Sequence, residues 1–373
     1  MSTEDLIPPN SFSFPENIKL DLHDLVVILL RERLLSDTRF PHARLLETCD
    51  GSHPPSHVPQ NSQESFRLRD TPKVGYFLLN NSNGKDGAAE GEGGPNAEPS
   101  TFLHEKAKPY TDLEEDEVET AFWRVKNHDS GYMLHHALQL VLDSLPKSTK
   151  LRIRTPDGFE FSCSAQSFAV AEMDILPKEL VYINNMERLE HEEKHIEMAM
   201  DQYVFAEKHV SEPWVYLVFG KTNDLPTKRR NTQCVALDIN ASVLGLRGSA
   251  GEPFVMERRK TYHEQLLPRV AEEDLELNQS QRIYAINLED SGPAAELAKR
   301  ILSRLERITR GEERYCSYCG KTAPKSQCSK CRGKSQYCGS LCQRKAWSYH
   351  KRWCKIDAAA ADLPKLENDV EMK

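Results

Sequence analysis

Eight residues toward the C-terminal end carry the side chains that bind transition metals: Cys316, Cys319, Cys328, Cys331, Cys338, Cys342, His350 and Cys354. Their spacing is C-x2-C-x8-C-x2-C-x6-C-x3-C-x7-H-x3-C. Thiolate and imidazole suit Zn²⁺ in a tetrahedron, and a site closed by four protein ligands is structural because no position remains for water or substrate. Each C-x2-C pair lets one tight turn aim two sulfurs at an ion. The C-x3-C and H-x3-C pairs put two ligands one helical turn apart, on one face. Four pairs make two sites, and spacing alone leaves open which pair joins which.

A second metal-like pattern is His191-Glu192-Glu193-Lys194-His195, which matches the H-E-x-x-H of zinc proteases. Three features count against it. The stretch is rich in Glu, so the match is cheap. On a helix, Leu189, Ile196, Met200 and Tyr203 form an apolar stripe and both His fall on the opposite, wet side. No third ligand is apparent. We read a solvated helix face. Cys163 and Cys234, in or beside strand candidates, read as small buried hydrophobes rather than nucleophiles. His135-His136 reads as ordinary helix packing, and Lys228-Arg229-Arg230 as a solvated basic cluster.

The elements that position these residues follow from periodicity and breakers. Apolar residues from Ile18 to Leu35 recur at helical spacing, as do Leu134, Leu138, Val141, Leu142 and Leu145 before Pro146. Leu151 and Ile153, then Phe159, Phe161 and Cys163, alternate around the turn Thr155-Pro156-Asp157-Gly158, which predicts a hairpin. Further strands are expected at Val74–Leu79, Trp214–Phe219, Cys234–Ile239 and Ile283–Leu288, and a charged helix at Met186–Val210. A last helix begins near Ser291-Gly292-Pro293 and runs into the cysteine cluster.

The run from Cys316 to Cys354 resembles the MYND-type zinc finger. The resemblance rests on the eight ligands in order together with Tyr337-Cys338, Cys342-Gln343, Trp347 and His350-Lys351, and covers about residues 315–355. One departure is the six residues between Cys331 and Cys338, which a longer hairpin tip absorbs. The resemblance implies interleaved sites: Cys316, Cys319, Cys338 and Cys342 around one zinc, Cys328, Cys331, His350 and Cys354 around the other. It also implies a protein-interaction module for short proline-containing peptides, with Gln343 and Trp347 in the peptide-contacting positions. Some proteins with this finger are lysine methyltransferases, but the motifs of that catalytic domain are not found here.

Charge is unevenly divided. The chain has 373 residues and a formal charge of −8, yet the finger from Arg314 to Lys355 holds eleven Lys and Arg and no Asp or Glu. A basic patch invites phosphate contacts, a protein partner, or this chain's own acidic segment near 112–119. The longest apolar run, Leu25–Leu30, is too short to span a bilayer, which needs about 20 residues. The N-terminal stretch lacks a basic start and apolar core, so no secretory signal is expected, and the ten Cys are expected as thiols or metal ligands.

These readings define an α+β domain of mixed order with disordered linkers, plus a small C-terminal zinc-stabilised finger. The expected divisions are an irregular 1–17, a partly ordered 18–79, a linker at 80–109, the α+β domain at 110–309, the finger at 314–355 and a flexible tail at 356–373. The expected role is that of a non-catalytic, intracellular (nuclear or cytoplasmic) regulatory adaptor, holding two structural Zn²⁺ and contacting a protein partner rather than a membrane. The alternatives are an enzyme with its active site in 110–290, and nucleic-acid binding through the basic finger.

Overall fold

A computed structural model describes residues 7, 11–37, 43–50, 73–80, 98–108, 113–190, 196–206, 210–220, 233–273, 278–283, 288–331 and 333–362. In chain order its main elements begin with β1 (Lys19–Asp21) and α1 (Leu22–Ser36), then β2 (Ala43–Asp50), β3 (Lys73–Asn80) and β4 (Leu103–Lys108). Two helices follow, α2 (Glu115–Asn127) and α3 (Gly131–Ser144). The hairpin β5 (Lys150–Arg154) and β6 (Glu160–Ser164) leads to β7 (Phe168–Pro177), β8 (Leu180–Glu190), β9 (Ile196–Ala206) and β10 (Glu212–Phe219). Then come β11 (Val235–Asp238), β12 (Val255–Arg258), β13 (Ala271–Glu273), β14 (Asn278–Ser280) and α4 (Leu288–Thr309). The finger holds β15 (Ser326–Gln327), β16 (Gln336–Tyr337) and α5 (Ser340–Asp362).

The α+β class holds. Three sheets of the body have the orders β1-β5-β6, β4-β2-β3-β8-β9, and β12-β11-β10-β7-β13 with β14 also on β7. Helix α1 is buried around most of its circumference, Leu22 and Leu25 to Leu30 included, which marks a central rather than a surface helix. Asp21 starts it by accepting from the His23 backbone N–H (3.1 Å). The hairpin forms where its turn requires, with Gly158 at φ +96° and Thr155 N–H bonded to Phe159 O (3.0 Å). A buried polar group ties the third sheet together. Asp238 accepts from Trp214 Nε1 (2.9 Å) and Tyr262 OH (2.8 Å), while Tyr216 and Glu273 flank His263 at 2.7 and 2.6 Å. Burial pushes the Asp238 carboxyl up to about 6, against those hydrogen bonds.

Segments divided by the 80–109 stretch in sequence meet in space. Residues of α1, β2 and β3 share one apolar core with α2, α3, β7, β10 and α4. Within that stretch, Leu103–Lys108 is strand β4, pairing parallel to β2, and residues 81–97 lie outside the described residues. The expected helix at Met186–Val210 is instead the antiparallel pair β8–β9, with Met186 opposite Met200. The apolar residues Ile196, Met198 and Met200 also alternate with period two, and β3, pairing parallel along β8, decides between the readings. The H-E-x-x-H residues, His191 to His195, lie outside the described residues, as does Lys228-Arg229-Arg230. Of the strand expected at Ile283–Leu288, Ile283 is in no regular element, Leu288 opens α4, and the rest lies outside the described residues. Helix α5 continues past the finger to Asp362. No described helix is long and apolar enough to cross a membrane.

Candidate metal centre

Two C-x2-C turns, one short hairpin and one helix build the site. In the first turn the Gly320 N–H bonds back to Cys316 O (2.9 Å) and Cys316 N–H reaches Lys321 O (2.8 Å), so Cys316 and Cys319 point the same way. In the second, Gly333 N–H reaches Cys328 O (3.1 Å) behind Cys328 and Cys331. The hairpin β15–β16 places Cys338 at its exit. Helix α5 then presents Cys342, His350 and Cys354 along one side.

These elements bring the eight residues into two groups, Cys316, Cys319, Cys338 and Cys342 in one, and Cys328, Cys331, His350 and Cys354 in the other. Within each, the ligand atoms lie within 4.8 Å of one another. This is the interleaved arrangement the resemblance implies. The edges of the two groups test the fit to a metal. Around a tetrahedral ion with bonds of about 2.3 Å to sulfur and about 2.0 Å to nitrogen, sulfurs stand roughly 3.8 Å apart and sulfur and nitrogen roughly 3.5 Å apart. In the first group Cys319 Sγ is 3.6 Å from Cys338 Sγ and 3.9 Å from Cys342 Sγ. In the second Cys328 Sγ is 3.7 Å from Cys354 Sγ, and Cys331 Sγ 3.6 Å from His350 Nε2. His350 Nδ1 lies 3.1 Å from Ser335 Oγ, which leaves Nε2 to face the ion and fixes the ring's orientation. The donor sets, four Cys and three Cys with one His, are those of closed structural zinc sites. They would hold the two turns, the hairpin and the helix together.

The ligands form a small core of their own with Tyr337. Helix α5 serves two cores at once. Tyr349 and Trp353, one turn apart, belong to the main core of the body. Tyr349 OH donates to Arg154 O (3.2 Å), and the Arg154 guanidinium lies over the Trp353 ring at 5.2 Å. Further contacts fasten the finger to the body. Tyr315 OH donates to Asp24 Oδ2 (2.7 Å), and Arg304 bridges Glu32 (3.1 Å), Glu313 (2.6 Å) and the Gly320 carbonyl. Glu119, 2% exposed, accepts from Tyr318 OH (2.5 Å), Lys345 Nζ (2.7 Å) and Arg247 Nη2 (3.1 Å). At this junction His23 stacks on Tyr349, with ring centroids 3.9 Å apart. Burial pulls the imidazole pKa down, but interaction with Asp24 and Glu252 outweighs this and pushes it up to about 9.

Gln343 is half-buried and Trp347 exposed, at 39%. The two are one turn apart on α5, and Trp347 lies roughly 160° around the helix from Tyr349. Lys330 Nζ sits 5.8 Å from the centre of the Trp347 ring. The other singled-out residues have structural partners. Cys163 and Cys234 are buried, and burial pushes the Cys163 thiol up to about 12. His135 is fully buried, with Nδ1 2.7 Å from Gly131 O and Nε2 accepting from Ile239 N–H (3.2 Å); burial pulls it down to about 4. No local signal marks Glu119, Tyr349 and Trp353 as anchors; the acidic run near 112–119, a counterpart for the basic finger, is the one hint in the sequence.

Two closed Cys/His sites on two turns, a hairpin and a helix define a small metal-stabilised module. Residues 316–354 match the family model described as the MYND finger. No curated protein and no solved structure matches the chain.

Proposed function

We propose that this chain is a regulatory adaptor, a body that presents one zinc-stabilised finger to short proline-containing peptides of partner proteins. The observation that carries this reading is Trp347. It is a large aromatic side chain that stays 39% exposed beside Lys330 and His350, about 160° around α5 from Tyr349, with Gln343 one turn before it. An extended proline-rich segment has little conformational entropy left to lose and packs well on an aromatic face, while a Gln amide can bond its backbone. Both donor sets close on protein ligands alone, so the metal, taken as Zn²⁺ from the family, would serve to hold this surface in shape.

The same geometry weakens the nucleic-acid reading. Lys345 is held among Glu115, Asp116 and Glu119, and Arg344 lies 3.7 Å from Glu115. Part of the finger's positive charge is thus matched within the chain. The test is a proline-containing peptide array probed with the full, zinc-loaded chain, followed by titration of the best binder. Trp347→Ala is expected to weaken binding by about tenfold or more with both zincs retained. Binding that is unaltered in this variant, or an array with no binder, removes the reading. A partner captured through nucleic acid would instead show steep loss of affinity with salt.

A further inference from the structure

A cavity of about 200 Å³ lies between the finger and the body, walled by both. Its polar lining is incompletely satisfied. Glu252 is 8% exposed, and neither of its carboxylate oxygens has a hydrogen-bond partner. The nearest cation, His23 Nε2, is 3.8 Å from Oε1, beyond hydrogen-bonding distance. Trp353 is 2% exposed, and its indole N–H has no acceptor. Polar groups left buried and unmet are costly, a charge most of all, so a cavity that collects them suits something that supplies the partners.

The missing partners have opposite character. Glu252 has the His23 imidazolium as an ion-pair neighbour at 3.8 Å but accepts no hydrogen bond, and a further, cationic donor answers it best. Trp353 lacks an acceptor, and two further cations line the same space. Arg152 is partly exposed beyond its pair with Asp21 at 3.2 Å, and Lys334 is exposed with no ion pair among the described residues. The rings of Phe254 and Tyr349 supply an apolar wall. The space is below the range of about 300–1,000 Å³ usual for nucleotide-sized or drug-sized ligands.

We propose that this crevice binds a free α-amino acid, its ammonium group against Glu252 and its carboxylate toward Trp353, Arg152 and Lys334. The body contributes the acidic end and the finger contributes Trp353 and Lys334, so the site exists only with the finger docked. This assignment is independent of peptide capture at Trp347, which lies on another face of α5.

The experiment titrates the full zinc-loaded chain with each of the twenty free L-amino acids up to about 10 mM, read by calorimetry and thermal shift. At least one is expected to bind saturably and raise the melting temperature. Its N-acetyl and its amide derivatives, each missing one charge, are expected to bind about tenfold more weakly or worse. Glu252→Gln is expected to lose about tenfold in affinity. Should that buried variant fold poorly, Lys334→Ala at the exposed rim is expected to weaken binding several-fold in a normally folded chain. Trp347→Ala is expected to bind the amino acid as the parent does. The proposal is overturned if no amino acid gives saturable binding, if the capped forms bind equally well, or if Lys334→Ala and Glu252→Gln both bind like the parent.

Discussion

Lys345 Nζ lies 2.7 Å from Glu119 Oε2, joining the finger helix to α2 across 226 residues of sequence. Glu119 also accepts from Tyr318 of the first metal turn and from Arg247 of the body, so one buried carboxylate gathers three donors from three parts of the chain. Removing it leaves two cations near one another with their main partner gone. Breaking a buried ion pair from one side costs about 3–5 kcal/mol, and Lys345 keeps Glu115 and Asp116 nearby. Glu119→Ala is therefore expected to destabilise the chain by about 3 kcal/mol in chemical denaturation, with zinc content unchanged. Hydrogen exchange should quicken in α5. A variant as stable as the parent would show that the finger is held elsewhere.

Metal removal should reach beyond the finger. The ligands hold α5, and α5 lends Tyr349 and Trp353 to the main core. Losing large aromatic side chains from a core costs about 3–5 kcal/mol each when they are truncated. Chelation at neutral pH is expected to lower the melting temperature of the body itself. Cys338→Ser, which opens the four-Cys group alone, is expected to drop the zinc content from two per chain to one. Elemental analysis reads this directly, and two retained zincs would contradict the grouping.

Gly320 sits where two constraints meet. Its φ is +70°, as the turn after Cys319 requires, and a Cβ there would stand 2.8 Å from Val27 O and 2.7 Å from Arg31 Cβ. The first metal turn thus packs its backbone directly on α1. Gly320→Ala adds a left-handed strain of about 1 kcal/mol or more and a clash with backbone that cannot swing away. The expected result is a loss of about 2–4 kcal/mol, with faster zinc release to a competing chelator. Gly292→Ala, inside α4 with nothing within 4 Å of the added atom, serves as the control and should be neutral or stabilising by up to about 1 kcal/mol.

His135 supplies a pH test. Its folded pKa is lowered from 6.5 to about 4, so below pH 6.5 the unfolded chain takes up a proton that the folded chain refuses. The stability it contributes is complete above pH 6.5 and is lost progressively as pH falls toward 4, reaching about 3 kcal/mol. Asp238, raised to about 6, and Glu257, raised to about 7, act in the opposite direction over the same range. The clean readout is therefore the imidazole resonance itself. His135 is expected not to titrate between pH 8 and 5.5, and a midpoint near 6.5 would contradict its burial as the neutral form.

Much of this protein was legible locally. The ligand set could be read because a C-x2-C turn and an i, i+4 helix pair depend on a few residues of covalent spacing, whatever surrounds them. Helix α3 and the hairpin β5–β6 were legible for the same reason, through a 3.6 period ended by Pro146 and through the Thr155-Pro156-Asp157-Gly158 turn. The segment from 186 to 206 was not. Leu189, Ile196, Met200 and Tyr203 suit a helix, Ile196, Met198 and Met200 suit a strand, and no local rule ranks the two. Pairing of β8 with β3, more than a hundred residues earlier, supplied the hydrogen bonds that settle it.

What the sequence by itself determined was therefore the identity of the metal-binding residues, the helices with a single clear period and the sign of the charges on each segment. Tertiary structure alone decided which partners those charges meet. The opposition of a basic finger and an acidic 112–119 run set the possibility, but Coulomb attraction between exposed groups is weak and unspecific in water. It is a defined contact in the folded chain, where Tyr349 and Trp353 belong to the body's core and Glu119 is buried against Tyr318, Lys345 and Arg247. The cavity beside Glu252 arises in the same way. Its walls come from residues 23, 152, 252, 334 and 353, which only the folded chain brings together.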